Sequence, residues 1–317
     1  MSILYFLVQQ TMFFSIPLLI VALGGMYSER SGIVNIALEG IMIMGAFVSV
    51  FFISSYNDAM NPQLLLILAV LVAGLSGGVF ALFHAFASIN LKADQVISGT
   101  ALNMFAPAFA IFIARTFGGT QYIQFVDKFH IVKVPVLGSI PIVGRLFFQN
   151  AYITTYIGFL IFIVAAFVIK YTRFGLRLRS CGEHPQAADS VGINVYKIRY
   201  AGVFISGILA GIGGIAFVIP TSTNFDASVA GYGFLALAVL IFGQWRSNKI
   251  FIAAFFFGIM KTVSSTYSGI PILKDLLIPN EIYKMAPYIA TLVVLVFFSK
   301  KSQAPRAEGI PYDKGSR

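Results

Sequence analysis

Nine apolar stretches dominate the chain, at 4–25, 33–54, 64–87, 95–115, 151–170, 199–219, 229–243, 249–267 and 283–299. About twenty apolar residues wound as a helix cross the hydrocarbon of a bilayer. A soluble domain of 317 residues has no interior large enough to hide nine of them, and 58% of the residues are hydrophobic while 11% are charged. The expected fold class is therefore an all-α polytopic membrane protein, with about nine to ten transmembrane or re-entrant helices. The seventh stretch is short and follows Pro220-Thr-Ser-Thr-Asn224, which suggests a half-helix or a re-entrant piece. The first stretch lacks a basic leader and runs straight into more membrane sequence, so it is expected to be retained.

Charge sets the orientation. The net charge is +10, and in a membrane protein an excess of Lys and Arg marks cytoplasmic loops rather than nucleic-acid binding. The segment 171–200 is polar and basic at both ends, with Arg173, Arg177 and Arg179 before its middle and Lys197 and Arg199 after it. Placing it inside brings loops 27–32, 88–94 and 244–248 and the tail inside by alternation. Fifteen of the 22 Lys and Arg then lie inside and six outside, with Lys261 within a span. The amino end depends on Tyr27 to Gly32. If that stretch merely interrupts one pass, the N-terminus moves to the inside. The end, 304–317, reads as a flexible cytoplasmic tail.

Within 171–200, Gly182-Glu183-His184-Pro185-Gln186-Ala187-Ala188, followed by Gly192, predicts a short surface helix over 183–193, opened by Pro and closed by Gly. Such a helix suits docking to a soluble partner. Polar residues inside apolar stretches are the other candidates. Asn35 and Glu39 are four apart and share a helix face, and an ionisable group there must face protein or water. Glu39 is read either as a bond between helices or as a transport residue. Thr100 and Asn103 stand one turn apart and point inward if Phe105, Phe109 and Phe112 face lipid. Gly74 and Gly78, and later Gly207 and Gly211, space small residues for close helix packing. Gly231 to Gly243 echoes the rhythm of Gly32 to Gly45, a weak sign of an internal repeat.

Four motifs in order, Tyr27-Ser-Glu-Arg-Ser-Gly-Ile-Val-Asn-Ile-Ala-Leu-Glu-Gly40, Asn90 to Asn103, Arg173-Phe-Gly-Leu-Arg-Leu-Arg179 and Gly182-Glu-His-Pro-Gln-Ala-Ala188, carry a family resemblance. They resemble permease subunits of bacterial ABC importers, in the group that handles branched-chain amino acids, simple sugars and nucleosides, and most of all its nucleoside-type branch. The resemblance implies a transmembrane permease domain over 1–303 in the bacterial cytoplasmic (inner) membrane. It implies that Gly182, Glu183, His184, Pro185, Ala187, Ala188 and Gly192 form a coupling helix, and that Asn35, Glu39, Thr100 and Asn103 border the translocation pathway. It further implies an ATP-binding subunit with two nucleotide-binding domains, a homologous second permease and an extracytoplasmic substrate-binding protein, partly received on the outer loop 116–150. Nucleosides are the implied cargo, with riboflavin or a simple sugar as alternatives.

No Gly-x-x-x-x-Gly-Lys-Ser/Thr phosphate loop occurs in the chain. Any ATP and Mg would thus sit on the partner ATPase, with no cofactor on this chain. The lone Cys181 and the scattered His84, His130 and His184 give no metal-ligand spacing, and no nucleophilic triad pattern appears, so an enzyme reading has little support. An ion-coupled secondary carrier is the competing class, since Glu39 and the possible repeat would suit one.

Overall fold

The computed structural model describes residues 2–57, 59–267, 279–298 and 303–315. Among the described residues, nine main helices correspond one to one with the nine apolar stretches. They are α1 (Ser2–Glu29), α2 (Leu38–Tyr56), α3 (Pro62–Ile89), α4 (Gln95–Gly118), α6 (Ile153–Tyr171), α9 (Val195–Thr221), α10 (Tyr232–Phe242), α11 (Ser247–Thr266) and α12 (Asn280–Phe298). Seven of them are long and apolar enough to cross a membrane, and α10 is a shorter apolar helix of 11 residues, about 16 Å of rise. The seventh stretch is thus a half-length helix, as its length suggested.

Three short α-helices also occur among the described residues. The helix α5 (Val143–Phe147) lies in the 116–150 loop, while α7 (Arg173–Glu183) and α8 (Pro185–Ser190) fill the basic segment. Two small antiparallel ladders close the opposite face: β1 (Ile123–Gln124) with β4 (Asn224–Phe225), and β2 (Ile131–Lys133) with β3 (Gln149–Ala151).

The ends of the helices sort onto two faces. The C-terminus of α1 reaches the basic face, where the Arg30 guanidinium stands 3.6 Å from the Glu183 carboxylate. Its N-terminal half reaches the other face, where Gln9 donates to the backbone oxygens of Arg145 and Gln149. The chain then turns and α2 runs back towards β1. Tyr27 to Gly32 therefore closes α1 and opens the turn between two passes rather than interrupting one, and the N-terminus lies on the face opposite the basic segment.

The bundle is built around α9, which touches α1, α2 and α3 along its length. Its glycines make this possible. A Cβ on Gly211 would fall 2.1 Å from the carbonyl oxygen of Ala73 on α3, and one on Gly214 would fall 2.2 Å from that of Met42 on α2. On α3 the closest approach is at Gly77, whose added Cβ would lie 2.4 Å from the Gly207 oxygen. Gly74 and Gly78, singled out from spacing, make room for the side chains of Ile208, Ile212 and Phe204, and the Gly78 Cα lies 3.0 Å from where a Cβ on Gly207 would fall. Lipid chains are as apolar as leucine, so helices in a membrane associate through such close backbone contact. The outward face of α3 carries Leu71, Leu75, Val79 and Phe83, all exposed, as a lipid-facing stripe should be.

Gly211→Val should force α3 off α9. We expect a loss of ~1–3 kcal/mol, read as a lowered melting temperature of the solubilised protein, whereas Leu75→Val on the lipid stripe should leave it unchanged.

Candidate functional site

Two interruptions of regular helix lie within the bundle, and the polar residues of the sequence gather at them. The first is the connector 30–37 between α1 and α2. Backbone amides and carbonyls buried away from water must find protein partners, and here side chains from three helices, α1, α3 and α4, supply them. Ser28 donates to the oxygen of Ile33 (2.7 Å), and the Val34 amide donates to Oε1 of Gln95 (2.7 Å). Nε2 of His84 lies 2.8 Å from the Val34 oxygen and Nδ1 lies 3.1 Å from the Ser98 hydroxyl. A carbonyl only accepts, so Nε2 carries the hydrogen. Asn103 donates to the Ile36 oxygen (2.8 Å) and accepts from the Gly40 amide (2.7 Å). Asn35 donates to the Ser206 hydroxyl on α9 (2.9 Å).

The second interruption is the start of α10, which begins in the interior beside α2. Glu39, 8% exposed, accepts from the amides of Gly231 (2.9 Å) and Gly233 (2.6 Å), one through each carboxyl oxygen. These belong to the first turn of α10, whose amides have no partner within the helix, and the positive end of the helix dipole favours the carboxylate. Gly231 holds φ at +76°, and a Cβ on Gly233 would sit 2.4 Å from the Glu39 backbone. The two broken helices thus meet at a single carboxyl group.

Of the four polar residues read as inward-facing, Asn35, Glu39 and Asn103 are buried or partly buried and bonded across helices. Thr100 is a correction: it is exposed, and its hydroxyl donates back to Val96 and Ile97 of its own helix. Three residues turn a helix by about 300°, enough to carry Thr100 out of the α2 contact that Asn103 makes. Phe105 and Phe112 are exposed as expected, while Phe109 packs against Phe47.

The basic face carries the third constellation. The arginine run was read as loop but forms α7, an amphipathic helix that buries Gly175, Leu178, Cys181 and Gly182 and turns its arginines outward or along the surface. Pro185 opens α8 at its first position, and Gly192 (φ +83°) turns the chain towards α9. Within α8, Pro185 and Ala188 are buried, whereas His184, Gln186 and Ala187 are exposed. Val191, which the sequence reading passed over, is 75% exposed beside them. Ala188 belongs to a small core with Cys181, Val195 and Tyr312. Gly182 abuts the Arg30 carbonyl, with 2.3 Å available for a Cβ.

Tyr312 comes from the tail, and here the structure departs from the flexible end expected. The Ala307 amide donates to Gly182 (2.8 Å), the Gly309 amide to Gly32 (3.2 Å), and the buried Arg199 donates to Ile310 (3.1 Å). The Tyr312 ring lies 5.5 Å from that of Tyr196, and the Arg199 guanidinium stands 6.0 Å above it. Asp313 pairs with Lys92 (3.0 Å). The tail is therefore a strap over α7, α9 and the α1–α2 turn, anchored by two apolar side chains, Ala307 and Tyr312, within a polar run.

Both assignments can be checked. Glu39→Gln keeps the shape but replaces one acceptor by a donor facing an amide, which should cost ~1–3 kcal/mol, while Glu39→Ala orphans both amides and should cost more in thermal denaturation. Burial pushes the Cys181 thiol up to about 11, and only the thiolate reacts fast. Maleimide labelling of this single cysteine should therefore be slow in the native protein and accelerate when the chain is cut after residue 302 or carries Tyr312→Ala.

Residues 7–295 match the family described as branched-chain amino acid transport system, permease component. The chain is 43% identical to the guanosine ABC transporter permease protein NupQ of Bacillus subtilis, covering 100% of this chain and 99% of that one. It is 41% identical to the nucleoside ABC transporter permease protein NupC of Lactococcus lactis, over 98% of each. A second L. lactis protein, the nucleoside ABC transporter permease protein NupB, is 25% identical over 95% of this chain and 82% of its own. With seven candidate membrane spans among the described residues and the family match running almost end to end, the chain is a multi-pass membrane protein that belongs to the family of branched-chain amino acid transport system permease components.

Proposed function

We propose that the chain is the membrane subunit of a binding-protein-dependent importer for nucleosides, powered by ATP hydrolysis on a partner subunit with two nucleotide-binding domains. The observation that carries this reading is the exposed end of α8. His184, Gln186, Ala187 and Val191 form a small, partly apolar knob on the face that holds most of the cationic loops, which the charge bias assigns to the cytoplasm. A knob bonded through Gly182, Arg199 and the tail to α1 and α9 is suited to passing a displacement into the bundle. The family is one of transport permeases rather than catalysts. Nucleosides are favoured by the names of the full-length relatives.

The permease pairs with a second, homologous permease. Two distinct proteins of one organism resemble this chain over most of its length, at 41% and 25% identity, as expected if two diverged copies work side by side. The pathway runs along α4, the least buried of the candidate spans, with Thr100 on its outward face. Asn35, Glu39 and Asn103 hold the wall behind it by fixing the connector and α10. The opposite face, with its two small ladders, receives the substrate-binding protein.

The experiment is reconstitution of the permease pair with its ATPase in proteoliposomes. ATP hydrolysis should rise on adding binding protein loaded with guanosine, and labelled guanosine should accumulate. Stimulation by loaded riboflavin or sugar instead would move the substrate and keep the importer. Ala187→Arg, which alters the knob and not the core, should lower uptake on the order of tenfold with assembly of the membrane subunits intact. Uptake by the chain alone, driven by an ion gradient, would overturn the reading.

A further inference from the structure

The basic face holds a cavity of about 860 Å³ that the proposed pathway does not use and that borders the coupling module only through Arg179 and Glu183. Its walls come from the last turn of α6, from α7, from the first turn of α11 and from the tail. Six cations line it, Arg30, Lys170, Arg179, Arg246, Lys249 and Arg306, and the one acidic residue among its lining groups is Glu183. Arg30 is mostly buried, with its side chain 14% exposed. Burial disfavours its charged form, Glu183 offsets this, and Arg179 and Arg246 add repulsion.

The same cavity receives the N-terminus of α11 through Ser247, Asn248 and Lys249. That 20-residue helix has no side-chain cap, so its first amides and the positive end of its dipole bear on the space the cations enclose. Arginine forks and helix amides are the groups that hold phosphate oxygens. Topology alone does not require such an arrangement. Arg173, Arg177 and Lys197 serve the charge bias equally well from the same face, yet none of them lines the cavity.

We infer that this cavity is a binding site for a phosphate-bearing anion, held by Arg30, Arg179, Arg246, Lys249 and Arg306 against the start of α11. Two sources share that chemistry. Lys170 and Lys249 stand at the ends of two candidate membrane spans, α6 and α11, where a basic recess between helices suits an anionic phospholipid. A soluble phosphorylated compound could enter from the cytoplasmic side. In either case the occupant lies against Arg179 and Glu183, one helix before the α8 knob, and joins α7, α11 and the tail. The inference does not depend on which solute the permease carries.

The test uses the assembled transporter. In one arm it is placed in phosphatidylcholine nanodiscs with and without cardiolipin, and retained phospholipid is counted by native mass spectrometry after detergent extraction. In the other, binding of inorganic pyrophosphate is measured by calorimetry without anionic lipid. Each arm compares Arg246→Gln/Lys249→Gln/Arg306→Gln with the control Arg173→Gln/Arg177→Gln/Lys197→Gln, so that nucleotide sites on the ATPase cancel. Loss of about tenfold or more in the cavity variant and not in the control supports the site. Loss in the first arm identifies a lipid, and loss in the second a soluble phosphate. Equal behaviour of the two variants in both arms overturns it. Should the triple variant fail to assemble, Arg306→Gln alone should weaken binding about fivefold, and Arg306→Lys should restore most of it.

Discussion

Backbone that leaves the helix inside a lipid-embedded bundle must be satisfied by protein, and this single requirement accounts for the cluster of polar residues around the two helix breaks. The connector 30–37 and the start of α10 would otherwise expose amides and carbonyls to an apolar interior. Ser28, His84, Gln95 and Asn103 answer the first, and Glu39 answers the second. These side chains come from α1, α3, α4 and α2, so the two breaks also tie the bundle together. Glu39, an ionisable group inside an apolar stretch, supplies acceptors for amides that the start of α10 leaves without helical partners.

The second organising element is α9. Its glycines let α2 and α3 approach to backbone contact, and its first turn reaches the basic face as Val195, Tyr196 and Arg199. There it meets the tail through Arg199 and Tyr312, and α8 through Val195 and Ala188. The central post of the membrane region and the outward knob are thus parts of one packed unit. A partner that moved α8 would have a short mechanical route to the helix that holds the α1–α2 connector through Asn35 and Ser206.

Much of this was legible in the sequence. Apolar length located the nine main helices and marked the seventh as half-length, because hydrocarbon thickness sets a strict scale. Small residues at helical spacing pointed to close packing, which Gly78 joins at Gly207, although the tightest backbone approach on α3 is at Gly77. What escaped was contextual. The helix α7 was hidden because arginines on an exposed helix face look like a charged loop. The docked tail was hidden because two apolar residues in a polar run carry no periodic signal. Thr100 was turned the wrong way because its orientation depends on which side of α4 the connector occupies. The paired roles of Glu39 and Gly233, 194 positions apart, follow from tertiary contact alone.

The account rests on α8 meeting a separate ATPase at the cytoplasmic face. The most direct measurement is a site-directed cross-link. In a Cys181→Ser background, Gln186→Cys would be treated with a short bifunctional reagent in membranes holding the full transporter. The account predicts a cross-link from this position to the ATP-binding subunit, with a yield that changes between ATP-bound and nucleotide-free states. Labelling of the same cysteine by an impermeant reagent applied outside intact cells, or no cross-link to the ATPase in an active complex, would contradict it.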